Sequence, residues 1–133
     1  MREEQYPFAL VGLIILHKNK ILLIKEKSSF FDLPKDLIKT GETLKKAARR
    51  YLKEKISIKA IKANIGKFFH LQEKIEKDHQ VIFYFLAKPD EKDKINTTLD
   101  ENFRWVEIEK VNSLPVDHTL SEVISKLPMH YKS

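Results

Sequence analysis

A chain of 133 residues is the size of one ordinary domain, large enough to close a hydrophobic core without disulfide or metal staples. The absence of cysteine excludes a disulfide framework, a zinc–thiolate site and a cysteine nucleophile. The formal charge of +6 and a pI near 9.4 favour phosphate-bearing partners over basic ones.

The first element in chain order is the apolar stretch from Phe8 to Leu16, preceded by Pro7. It is far shorter than the roughly 20 residues that span a bilayer, so it reads as a buried strand. Glu3 and Glu4 stand where a signal peptide would carry basic residues. The expectation is therefore a cytoplasmic chain with no membrane association. A second run, Ile21 to Ile24, follows the polar turn His17-Lys18-Asn19-Lys20, with Asn19 at a tolerant position, and the two runs read as a hairpin. From Phe31-Asp32-Leu33-Pro34 to Gly41 the chain reads as a loop, because proline restricts its predecessor and glycine accepts a positive φ.

A helix capped by Thr43 comes next, since Leu44, Ala47, Ala48, Tyr51 and Leu52 fall on one apolar stripe. Strand-like runs then appear at Ile65 to Leu71, Val81 to Leu86 and Phe103 to Ile108, with a charged loop from Lys88 to Asn96 between the last two. Thr119-Leu120-Ser121-Glu122 has the pattern of a capping box, and Leu120, Val123, Ile124 and Leu127 supply the apolar face of a last helix. No repeat or linker divides the chain, so residues 1–133 read as a single α/β domain.

Charge is concentrated within that order. Between Lys39 and Lys62 there are nine basic residues and two acids, Glu42 and Glu54. This segment therefore carries +7, and the rest of the chain carries −1.

The stretch Leu33-Pro34-Lys35-Asp36-Leu37-Ile38-Lys39-Thr40-Gly41-Glu42-Thr43, continued through Arg50-Tyr51-Leu52-Lys53-Glu54-Lys55-Ile56-Ser57-Ile58, resembles the Nudix box, G-x5-E-x7-R-E-U-x-E-E-x-G-U with U a bulky aliphatic residue. Its opening Leu-Pro-Lys is similar to the subgroup that cleaves diadenosine tetraphosphate and related nucleoside polyphosphates. Glu42, Arg50, Leu52, Glu54 and Ile58 agree with the pattern. Asp36 replaces the first glycine, Tyr51 the glutamate after the arginine, Lys55 the second paired glutamate and Ser57 the final glycine. The resemblance implies a Nudix fold, a mixed β-sheet sandwiched between helices. It also implies a structural salt bridge between Glu42 and Arg50, and magnesium held by glutamates on one helical face.

Those glutamates would stand at Tyr51, Glu54 and Lys55, which are neighbours on a helix. Only Glu54 remains. Magnesium seeks hard oxygen donors and uses its charge to neutralise phosphate and activate water, so an ammonium at position 55 opposes it. Asp36 is a candidate replacement carboxylate, making Glu54 and Asp36 the expected metal ligands and magnesium a doubtful cofactor. Glu101 lies where related hydrolases often place an extra acid, so Glu54 and Glu101 are the candidate catalytic groups. Glu73 and Glu76 are further acids that an active site could recruit.

The expected ligand-binding residues are Lys35, Lys39, Lys53 and Lys55, which can neutralise phosphate as point charges, and Tyr84, an aromatic able to stack on a base. Two readings follow. The first is a protein that binds a nucleotide, a nucleoside polyphosphate or an RNA end with weak or no hydrolysis. The alternative is an active magnesium-dependent hydrolase built on replacement carboxylates. A basic helix docking on an acidic partner or nucleic acid is a third.

Overall fold

The computed structural model describes residues 6–25, 30–56, 64–75, 78–88 and 102–127. The elements are β1 (Phe8–His17), β2 (Lys20–Ile24), β3 (Lys35–Leu37), α1 (Leu44–Tyr51), β4 (Asn64–Ile75), β5 (His79–Lys88), β6 (Phe103–Glu107) and α2 (His118–Ser125). The strands form one mixed sheet in the order β4-β5-β1-β2-β6, with β3 paired to β1 as well. Among the described strands β1 and β5 run parallel and the other pairs are antiparallel.

The near-continuous apolar run of β1 has a direct cause: both of its faces are covered. Leu10, Ile14 and Leu16 point to one side, where Leu120, Val123, Ile124 and Leu127 of α2 and its flank close the core. Val11, Leu13 and Ile15 point to the other, against Ala47, Ala48, Tyr51 and Leu52. The result is a helix-sheet-helix sandwich in which β1 belongs to both cores. Gly12, also on the α2 side, carries no side chain because the ring of Tyr84 occupies that space. A Cβ built there would lie 2.4 Å from Tyr84 Cε1.

Several local expectations are corrected. Lys18, rather than Asn19, takes the positive φ of the hairpin turn, at 58°. The loop before α1 contains the short strand β3, because its residues find open backbone partners along β1 from Leu10 to Gly12. Thr43 does cap α1, accepting from the Lys46 amide at 3.2 Å. Beyond Tyr51 the helix widens into a π-helical turn over Leu52–Ile56. At the other end Asp117, not Thr119, caps α2. Its carboxylate accepts from both the amide and the hydroxyl of Thr119, at 2.9 and 2.7 Å, so the threonine serves as the first turn's donor. Most of the charged loop after Lys88 lies outside the described residues.

Candidate functional site

The loop before α1 is organised around the Arg50 side chain. Gly41, at φ +91°, lets the chain turn back so that the Glu42 amide reaches the Lys39 carbonyl at 3.0 Å. Glu42 then meets Arg50, two turns along α1. Arg50 donates through Nε to Glu42 Oε2 at 2.7 Å and through Nη2 to Oε1 at 3.0 Å, the paired geometry that guanidinium and carboxylate favour. Its remaining donors reach Asp36 Oδ2 at 2.9 Å and the Leu37 carbonyl at 3.0 Å. Arg50 thus ties β3, the turn and α1 into one unit.

This network holds the Glu42 carboxyl well down, from an ordinary 4.5 to about 2, first through the Arg50 hydrogen bonds and then through the Lys39 amide. The same bonds push the Arg50 guanidinium upward, so it stays charged. A carboxyl depressed in the folded chain adds stability that is present above its ordinary value and is lost as pH falls toward the folded one. Wild type should therefore lose thermal stability between pH about 4.5 and about 2. In Glu42→Gln that part of the acid slope should disappear. A thermal midpoint against pH for both proteins checks this, and parallel curves would contradict it.

A cleft of about 270 Å³ opens beside this unit, lined by Ile24, Phe30, Asp32, Leu33, Lys35, Tyr51, Lys74 and Gln80. Its wall is mixed: Ile24, Phe30, Leu33 and Tyr51 stand beside two cations, the Asp32 carboxylate and the Gln80 amide. Both cations are already paired: Lys35 with Asp32 at 2.6 Å and Lys74 with Asp117 at 2.9 Å. Burial opposes ionisation of Asp117, but Lys74 and the two Thr119 donors outweigh it and hold that carboxyl well below the usual range. Tyr51 is 4% exposed, packed beneath the cleft in the α1 core.

The expected ligand-binding residues do not converge on one cleft. Lys35 lines it, whereas Lys39, Lys53 and Lys55 are exposed and are not among its lining residues. Tyr84 is corrected as a base-stacking residue. It is 1% exposed, it packs over Gly12 in the α2-side core, and its hydroxyl donates to Gln72 at 3.0 Å. Burial raises its phenol, which stays neutral. Glu101 and Glu76 lie outside the described residues, as do Ser57 and Ile58. Glu73 is held at 2.6 Å by His79 on the sheet edge. Phe30, Asp32, Lys74 and Gln80 were missed, since Lys74 and Gln80 enter from β4 and β5, far along the chain from Lys35.

The described donors do not fit magnesium. Asp36 and Glu42 both give oxygens to Arg50, and Glu54, 53% exposed, has one oxygen 3.9 Å from Arg50 Nη1. Tyr51 offers a phenol where a second helical carboxylate would be needed, and Lys55 follows Glu54 directly. Among the described residues no group of three His, Asp or Glu side chains is placed to hold a metal ion. Asp36 could give Oδ2 to a cation only by releasing Arg50, which leaves Glu54 as the one carboxylate of the described helix without a close bond to the guanidinium.

Comparison with known proteins fits this architecture. The NUDIX domain model matches residues 7–127, nearly the whole chain, and the protein belongs to the NUDIX family. The Ap4A hydrolase of C. elegans is similar in structure, with a TM-score of 0.77 at 23% identity, over 91% of this chain and 96% of that one. A MutT NUDIX hydrolase from Burkholderia pseudomallei has a TM-score of 0.72 at 17% identity, over 93% and 100%. At these identities the likeness is one of fold. No curated protein matches the sequence significantly. Among the described residues no helix is long and apolar enough to cross a membrane.

Proposed function

We propose that this protein binds a nucleotide or nucleoside polyphosphate in the cleft beside Lys35 and Tyr51, and hydrolyses it weakly or not at all. The observation that carries this reading is the use made of the carboxylates: Asp36 and Glu42 are bonded to Arg50 and Glu54 lies beside it, while the helical position facing the cleft is a packed tyrosine. The hydrolase named among the similar structures acts on Ap4A, which makes adenine nucleotides the first ligands to try. The cleft falls just below the usual range for small-ligand sites, so it suits at most one nucleoside phosphate unit rather than a whole dinucleotide.

Calorimetric titration with mono- and dinucleoside polyphosphates in EDTA tests this directly. Binding should persist without a divalent cation, and Lys35→Ala should weaken it by about tenfold, because that change removes a charged donor and leaves Asp32 unpaired. Binding that required magnesium would defeat the reading. Rapid magnesium-dependent nucleotide release, abolished by Glu54→Gln, would replace it with an active hydrolase rebuilt on Glu54, Asp36 and Glu101.

A further inference from the structure

We propose that the outer face of α1 and the turn that follows it is a docking surface for the phosphate backbone of a single-stranded nucleic acid, separate from the cleft. Lys45, Arg49 and Lys53 recur every fourth residue, with Lys46 beside them, and all four are exposed. They stand on the side of the helix away from Ala47, Ala48 and Tyr51, which are buried. Lys45 and Arg49 are about 6 Å apart along the axis of α1, and a helical repeat of 3.6 residues moves the second only about 40° around it; Lys53 follows in the π-helical turn and is exposed as they are.

No described acid pairs with any of the four. The two carboxylates of the segment, Glu42 and Glu54, lie toward Arg50 on the helix flank instead. At the first turn the charge does not stabilise the helix, since that turn holds no acid and carries Lys45 and Lys46 against the dipole; Arg49, in the last turn, is favourably placed. A line of cations with no described acid beside them is matched by a polymer bearing one charge per repeat.

The chemistry selects among polyanions. A membrane-binding basic helix inserts an apolar face, but here that face is buried in the core. An acidic peptide gains specificity from pockets for its side chains, and the four residues on this line are all cationic. A nucleic-acid backbone needs only regular point charges, and its binding follows counterion release.

The test is fluorescence anisotropy with single-stranded RNA, single-stranded DNA and polyglutamate of equal charge, over a salt series. For three to four phosphate contacts, log Kobs should fall against log salt with a slope of about −2 to −3. The triple variant Lys45→Gln, Lys46→Gln, Arg49→Gln should bind either strand at least about tenfold more weakly at low salt. Its slope should flatten by about 2, with circular dichroism and nucleotide titration of the cleft unchanged. A control with the same loss of charge elsewhere, Lys20→Gln, Lys110→Gln, Lys126→Gln, removes exposed cations from other elements and should bind as wild type. Equal loss in both triple variants would show only the field of the whole chain and overturn the proposal. So would polyglutamate binding as tightly as the strands, or a stripe variant that binds normally.

Discussion

Replacing Arg50 by alanine should lower stability by about 2 kcal/mol, equivalent to roughly 6–10 °C in the thermal midpoint of a domain this size. The side chain is 14% exposed and supplies every hydrogen bond that joins Asp36, the Leu37 carbonyl and Glu42 to α1. Its removal leaves three carboxylates, Asp36, Glu42 and Glu54, gathered around a point that has lost its cation. Isolated surface ion pairs contribute little, and the partial exposure of Asp36 keeps the figure below that for a fully buried pair. Arg50→Lys should recover only part of the loss, because an ammonium keeps the charge but cannot span Glu42 and Asp36 with a planar fork. Denaturant unfolding of the three proteins checks this. A change under about 0.5 kcal/mol for Arg50→Ala would mean that the loop is held by its backbone turn and the packing of α1 alone.

Gly12→Ala should be at least as damaging, at about 2–3 kcal/mol, although it adds a single methyl group. The added Cβ would lie 2.4 and 2.5 Å from two ring carbons of Tyr84 and 3.2 Å from Ile82 Cγ2, so the ring must move. It has little room, being fully buried, and moving it also strains the chain of bonds from its hydroxyl to Gln72 and from Gln72 to the Thr119 carbonyl, which links β5, β4 and α2. Pairing Gly12→Ala with Tyr84→Leu should cost less than the sum of the two single changes, since the smaller residue makes room for the methyl. Additive losses in a double-mutant cycle would show that the crowding lies elsewhere.

The legible parts of this protein share one property: they depend on local pattern. Apolar runs, helical stripes and turn residues located seven of the eight named elements, because burial on one or both faces leaves a periodic trace in the chain. The pairing of Glu42 with Arg50 is implied by the resemblance to the Nudix box, and the two side chains meet at 2.7 Å. Short strand β3 left no such trace, because three residues of mixed burial become a strand only when β1 offers backbone partners. The cap of α2 was misread for a related reason. Asp117 and Thr119 are both good capping residues, and the choice rested on Lys74, a partner on β4, holding the carboxylate in place.

By itself, then, the sequence determined the mixed α/β class, the order of strands and helices, the concentration of positive charge around α1 and the lack of carboxylates at positions 51 and 55, while the sheet sandwiched between helices is implied by the resemblance to the Nudix box. These are properties of residue type and spacing, which need no distant contact to be read. Only the tertiary structure decided that Asp36 is spent on Arg50, that Tyr84 is enclosed above Gly12 rather than open to a base, and that Lys35 meets Lys74 across a cleft. Each of these depends on which side chains from separate strands arrive at the same few ångströms. That convergence is set by the register of the sheet, and a linear pattern carries no record of it.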